Sequence, residues 1–260
     1  MKKLIIILEL LLLVASAACA QELEDYAKSI NLQSPSKWIN GYYRLMGASY
    51  KAQTFSIQFQ IKDNIYFDPE SHKKNPVLSK QLLACVISSL YYNKNYRALI
   101  NAIIKNNANL EITLSTPNSK AKSTNLFTSI LLKNTISNNL LSQEELFIKG
   151  HVIATNIECP SSFEDGLWLE MCMLEENKIV YYVSCSYLDN DPIELEIIKP
   201  VMKSLFWDTM LKLPTIEKLF RSCLATKTDI YWLVKDSKTG REFFTFRFGE
   251  KEIKYALDIK

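Results

Sequence analysis

Glycine is scarce in this chain, with six residues in 260. That leaves little material for loops that wrap phosphates, and neither G-x-x-x-x-G-K-[ST] nor G-x-G-x-x-G occurs. A G-x-S-x-G nucleophile elbow is missing as well. Histidine is scarcer still: His72 and His151 stand far apart, with no H-E-x-x-H or C-x-x-C spacing. His72 reads as a solvated residue ahead of a helix, and His151 as a structural one. No metal or cofactor is therefore expected. Charge of one sign is also lacking, because 31 Lys and Arg against 28 Asp and Glu leave +3. Such a balance points neither to nucleic acid nor to a strongly acidic partner.

Long apolar runs are confined to the N-terminus. Met1-Lys2-Lys3, an apolar stretch from Leu4 to Val14 and small residues ending Ala18-Cys19-Ala20 form the three regions of a signal peptide. Gln21 is then the expected mature N-terminus, and the chain is expected to be exported to the periplasm or beyond. Ser16-Ala17-Ala18-Cys19 also resembles a bacterial lipobox, with Ser16 where an aliphatic residue is usual. On that reading Cys19 is lipidated and anchors the chain to the envelope, the one route to a membrane. Removing residues 1–20 takes away Lys2, Lys3 and Glu9, lowering the net charge from +3 to +2.

The mature part holds Cys85, Cys159, Cys172, Cys185 and Cys223, an odd number that does not repeat between the halves described next. Buried thiols acting as small hydrophobes are the expectation. A single bridge within 159–223 stays open in an oxidising compartment.

What the chain does have is a duplication: Asp191–Gly249 reads as a second copy of Asn75–Ser129. Each copy opens with an acceptor and a proline (Asn75-Pro76, Asp191-Pro192), the pattern of a helix N-cap followed by Pro at the first turn. Apolar stripes follow at helical spacing, Leu82, Leu83, Val86, Ile87 and Leu90, then Leu99, Ile100, Ile103 and Ile104. Pro200 should kink or restart the second copy's helix. Leu126-Phe127-Thr128 is set beside Phe243-Phe244-Thr245. Leu32 to Gly41 is aligned with Leu141 to Gly150, each glycine leading into a strand, 42–49 and 151–157. Phe55–Ile61 alternates strictly and is matched to Leu167–Met173, each turning into a returning strand, 65–67 and 179–187.

The expected fold is α+β: a tandem duplication of a β3-α2-β2 unit (three strands, two helices, two strands). Each copy forms an antiparallel sheet with a helix pair on one face. Residues 1–20 are the signal peptide, 21–37 a lead-in, 38–132 and 146–260 the two repeats, and 133–145 the connector.

Catalytic groupings are few. The basic hairpin tips 117–122 and 236–241 read as solvated turns, and carboxylate clusters such as Glu144-Glu145 as helix-start electrostatics. One surface stands out. The face away from the helices reads Ser56, Gln58, Gln60, Glu111, Thr113 and Ser115 in the first half. In the second it reads Trp168, Glu170, Cys172, Tyr231, Leu233 and Lys235, with Phe243 and Arg247 beside them. Strands apolar on both faces are covered on both, by intramolecular packing or by a partner. Trp168, Tyr231 and Phe243 are expected to lie together on neighbouring strands. The function that follows is a non-enzymatic exported protein that binds another protein, an inhibitor or an immunity factor against a toxin. The alternatives are a structural or surface-associated envelope component and, behind it, a hydrolase using carboxylates or Cys159.

Overall fold

A computed structural model describes residues 20–37, 43–62, 76–118, 122–138, 140–188 and 192–258. Residues 1–19, the expected signal peptide but for Ala20 and including Cys19, lie outside these residues, as do Trp38 to Tyr42, the strand expected at 65–67, and His72. The described chain divides into two units, one ending at Leu141 and one beginning at Ser142.

The first unit starts with a helix over 20–32 (α1), where a lead-in was expected. Leu23, Ala27 and Ile30 recur at i, i+4 and i+7 and are buried, a stripe narrow enough to pass for a polar segment. Strands β1 (Tyr43–Lys51) and β2 (Thr54–Ile61) follow as a hairpin. Its two turn residues, Ala52 and Gln53, both have positive φ (48° and 58°), the geometry that matches strand twist in a two-residue turn. Helices α2 (Pro76–Tyr92) and α3 (Lys94–Lys105) carry the chain to β3 (Asn109–Ser115). Strand β4 (Lys122–Phe127) and helix α4 (Ser129–Asn138) complete the unit, the helix occupying much of the stretch expected as a connector. The strand order is β1-β2-β3-β4.

The second unit repeats this plan. Helix α5 (Gln143–Ile157) opens with a capping box in which Ser142 and Glu145 satisfy each other's backbone N–H groups. Strand β5 (Ser161–Glu164), the hairpin β6 (Leu167–Glu175) and β7 (Lys178–Cys185), helices α6 (Pro192–Leu211) and α7 (Ile216–Thr226), strands β8 (Asp229–Asp236) and β9 (Glu242–Phe248), and helix α8 (Glu250–Asp258) follow. The order is β5-β6-β7-β8-β9. Helix α6 runs through Pro200 as one element. Ile148 and Val152 of α5, Met202, Phe206 and Met210 of α6, Leu219 and Phe220 of α7, and Ile253 of α8 share one core with the inward strand residues. All four helices therefore cover one face of the sheet.

Both units are α+β with a duplicated sheet-plus-helix arrangement, and both sheets are mixed where antiparallel ones were expected. The central pairs, β2 with β3 and β7 with β8, are parallel. The reason is the helical hairpin between them, a crossover long enough to return the chain in its original direction.

The structure also moves the alignment of the repeats. The stretch 151–157, expected as a strand, is the end of α5, and Gly150 lies inside that helix. The true counterpart of β6 is β1, and that of β7 is β2. Both first strands bulge at the same point, between Leu45 and Gly47 and between Leu169 and Met171. Leu126-Phe127-Thr128 corresponds to Arg247-Phe248-Gly249, because Phe127 pairs with Leu110 as Phe248 pairs with Ile230.

A short motif seals the correspondence: Asn31-Leu32-Gln33-Ser34-Pro35-Ser36 against Asn156-Ile157-Glu158-Cys159-Pro160-Ser161. Asn156 Nδ2 donates to the Cys172 carbonyl at 2.6 Å and its Oδ1 accepts the Cys172 N–H at 2.8 Å. Asn31 makes the same pair with Ala48, both at 2.8 Å. In each unit the amide replaces the backbone of a missing neighbouring strand, satisfying an N–H and a C=O just past the bulge.

Candidate protein-binding face of the second sheet

The bulge in β6 decides which side chains face away from the helices. Leu167, Leu169 and Cys172 pair with Cys185, Val183 and Tyr181, the inward residues of β7. Trp168, Met171 and Met173 pair with Ser184, Tyr182 and Val180, which point outward. Beyond β7 the outward rows continue through Lys235, Leu233 and Tyr231 of β8 to Thr245 and Arg247 of β9. The middle of the face is therefore Met171, Met173, Val180, Tyr182, Tyr231 and Leu233.

Val180 is only 5% exposed, so the outward side chains already pack over one another. Charged groups frame them. Arg247 forms an ion pair with Asp229 at 2.8 Å. Lys178 sits 5.7 Å from the centre of the Tyr231 ring and Lys235 5.7 Å from that of Tyr182. The Tyr182 hydroxyl donates to Glu175, and this bond to the carboxylate is the main reason its pKa is pushed up to about 12. Ser184 donates to Glu170. Exposed pairs of this kind add little stability, but they set a defined pattern of charge around an apolar centre.

The first unit provides an internal control. Its equivalents of Met173, Val180, Tyr182, Tyr231 and Leu233 are Ser49, Ser56, Gln58, Glu111 and Thr113. Polar groups on this face bond one another: Ser56 donates to Glu111 at 2.9 Å, Arg44 Nε donates to Gln60 at 2.9 Å, and the Thr113 and Thr124 hydroxyls are 3.1 Å apart. One backbone plan thus carries a wettable face in one unit and an aromatic, methionine-rich face in the other.

The residues expected on this face separate into two groups. Tyr231, Leu233 and Arg247 lie together, with Tyr231 directly opposite Arg247. Trp168 is 45% exposed but sits two strands from Tyr231, which is about 10 Å sideways, and about 13 Å along the strand direction. Phe243 falls at the bulge of β9, between the residues paired with Val234 and Lys235, and packs partly against the core. The expected cluster of Trp168, Tyr231 and Phe243 therefore does not form. Glu170 lies in the bulge of β6, and Cys172 is buried on the helix side. Met171, Met173, Val180 and Tyr182 were missed. Their signal was the unbroken apolar run Ile179-Val180-Tyr181-Tyr182-Val183, which reads as a strand covered on both faces.

Two other candidates for chemistry, His151 and Cys159, lie away from this face. His151 Nε2 lies 2.6 Å from the Tyr181 hydroxyl, and burial lowers its pKa to about 4. Tyr181 in turn stacks on Trp232 at 4.5 Å, and Trp232 on Phe206 at 4.6 Å, so the imidazole belongs to an aromatic core. The Cys159 thiol donates to the Thr155 carbonyl at 3.3 Å. Its pKa is pushed up to about 11, first by burial and then by Glu158 and Glu170, which keeps it from being a thiolate. All five described cysteines are free, and four of them are buried. Among the described residues no group of His, Cys, Asp and Glu could hold a metal ion. No described helix is long and apolar enough to cross a membrane.

No protein-family model and no curated protein matches this chain. Among solved structures it is similar to a candidate secreted protein of Pseudomonas aeruginosa at 13% identity, over 44% of this chain and 98% of that one, with a TM-score of 0.33. It is also similar to the pilotin EpsS of the Vibrio vulnificus type 2 secretion system, at 12% identity over 45% of this chain and 96% of that one, with a TM-score of 0.30. Likenesses of this size carry no functional argument.

Proposed function

We propose that this chain is an exported, non-enzymatic protein that binds another protein through the outward face of the β6–β9 sheet. The observation that carries the reading is the contrast between the repeats. Where the first unit has Ser49, Ser56, Gln58, Glu111 and Thr113, the second has Met173, Val180, Tyr182, Tyr231 and Leu233. Solvation alone requires no such change. Tyrosine, tryptophan, methionine and arginine are the residue types enriched in interface centres, and methionine adapts its shape to a partner surface. The frame of Arg247, Asp229, Lys178 and Glu175 suits the rim of such a contact. An inhibitor or immunity factor would use the face to occlude its target, whereas an envelope component would use it for assembly.

The test is site-specific photo-crosslinking in envelope extract, with the photoreactive residue at Met173 or at Ser49, its first-unit equivalent. A single adduct from Met173, lost when Leu233→Lys is added and not seen from Ser49, supports the proposal. Equal labelling from both positions, or labelling indifferent to Leu233→Lys, refutes it.

A further inference from the structure

Helix α6 is apolar on two opposite sides. One stripe, Met202, Phe206 and Met210, is buried in the core, with exposures of 2% or less. On the other side Ile193, Ile197 and Val201 follow at i, i+4 and i+8 and are 73%, 69% and 63% exposed. A surface helix normally turns charged or polar residues to that side. The stripe has a charge pattern along its axis as well. Glu194 and Glu196 stand in the N-terminal half, Lys199 and Lys203 further on. Glu196 and Lys203 are seven residues apart, so they flank the stripe on the same side. Glu196 makes an exposed contact with Lys199, at 3.8 Å, and Lys203 lies 5.6 Å from the centre of the Phe248 ring. The same flank opens into a groove of about 530 Å³ lined by Pro200, Trp207, Phe248 and Tyr255 among others.

We propose that α6 is a homodimer seam, occupied by the same helix of a second copy packed antiparallel across a two-fold axis. A two-fold contact needs one self-complementary patch, and this stripe is apolar throughout and self-complementary in charge. Placing Ile197 against Val201 of the partner subunit brings Ile193 beside Leu205 of the partner subunit. In an antiparallel pair equal flanks meet, so Glu196 comes level with Lys203 of the partner subunit to within about one residue, or roughly 1.5 Å of helix rise. The acidic half of each helix thereby faces the basic half of the other, and the helix dipoles oppose. A helix of this length spans about 30 Å, so the stripe and the groove together form a small interface. The dimer is reversible. It leaves the outward face of the β6–β9 sheet to a different partner and does not depend on the function proposed for that face.

Sedimentation equilibrium of the processed chain, from about 1 to 100 μM, tests the seam; micromolar association is what a small interface allows. The parent should pass from monomer to dimer across that range. Ile197→Lys should stay monomeric while its far-UV circular dichroism and Tm match the parent. Should that variant fail to fold, Val201→Ser serves in its place and should weaken association. Glu196→Lys and Lys203→Glu should each weaken association about tenfold, as misplaced like charges do at interfaces. The double variant Glu196→Lys/Lys203→Glu should recover it. A parent that is monomeric throughout, an Ile197→Lys variant that still dimerises, or a double variant no better than the singles overturns the proposal. A monomeric parent that binds anionic phospholipid vesicles, and loses that binding in Ile197→Lys, would overturn it and assign the stripe to a lipid surface.

Discussion

Replacing Asn156 with alanine should destabilise the second unit by about 3 kcal/mol or more. The side chain is 1% exposed. Its Nδ2 donates to the carbonyls of Val152 at 2.9 Å and Cys172 at 2.6 Å, and its Oδ1 accepts the Cys172 N–H at 2.8 Å. Alanine strands both backbone groups of Cys172 beside the bulge, away from water. Each buried group left unsatisfied costs about 1–3 kcal/mol, so two of them set the figure. The first unit offers a matched comparison, because Asn31 makes the same two bonds to Ala48 from an exposed position. Water can take over there, and Asn31→Ala should cost about 1 kcal/mol. Urea unfolding followed by tryptophan fluorescence reports mainly on the second unit, where Trp168, Trp207 and Trp232 lie, and far-UV circular dichroism adds the first unit for Asn31→Ala. An Asn156→Ala variant within 1 kcal/mol of the parent, or no costlier than Asn31→Ala, would refute the idea that the amide stands in for a strand.

Tyr182→Ala and Tyr231→Ala should each reduce partner binding by about 2 kcal/mol with little change in Tm; a stability loss of about 3–5 kcal/mol in both, as in core truncations, would instead mark the face as internal packing. Acidification should destabilise the second unit through His151. Its folded pKa of about 4 lies below the ordinary 6.5, so the unfolded chain binds the proton first and stability falls as pH drops from about 6.5 to 4. The loss is about 3 kcal/mol, and His151→Phe should flatten this part of the pH–stability curve. Iodoacetamide at pH 8 should label the native chain slowly and the urea-unfolded chain on all five described thiols. Rapid native labelling of Cys159 would contradict its raised pKa. Intact-mass analysis of exported material should give a chain beginning at Gln21 without lipid, and a diacylated or triacylated Cys19 would refute that processing.

Much of the secondary structure was legible without coordinates. Period-2 alternation in Phe55–Ile61 and Asn109–Ser115 marks strands with one buried face, and β2 and β3 lie there. The apolar stripe through Leu99, Ile100 and Ile103 marks an amphipathic helix, and those residues are buried in α3. The duplication itself was visible in the paired acceptor-proline starts, as was the polar face of the first sheet. These features depend on each segment's own periodicity, which side-chain chemistry writes directly into the residue order.

Only the tertiary structure decided how the copies line up and which side chains share a surface. A bulge adds one residue and reverses the facing of everything beyond it. The single extra residue at Glu170 sends Met171 and Met173 outward and Cys172 inward, against the phase of the alternation. Nothing local marks it, because its cause is distant: the Asn156 amide grips Cys172 from a helix 16 residues earlier. The parallel pairing of β7 with β8 likewise follows from the helical hairpin between them. The stripe of Leu23, Ala27 and Ile30 becomes recognisable as a helix face only when a sheet is present to bury it. Periodicity is a property of one segment; register and facing are properties of two segments in contact, and the contact exists only in the folded chain.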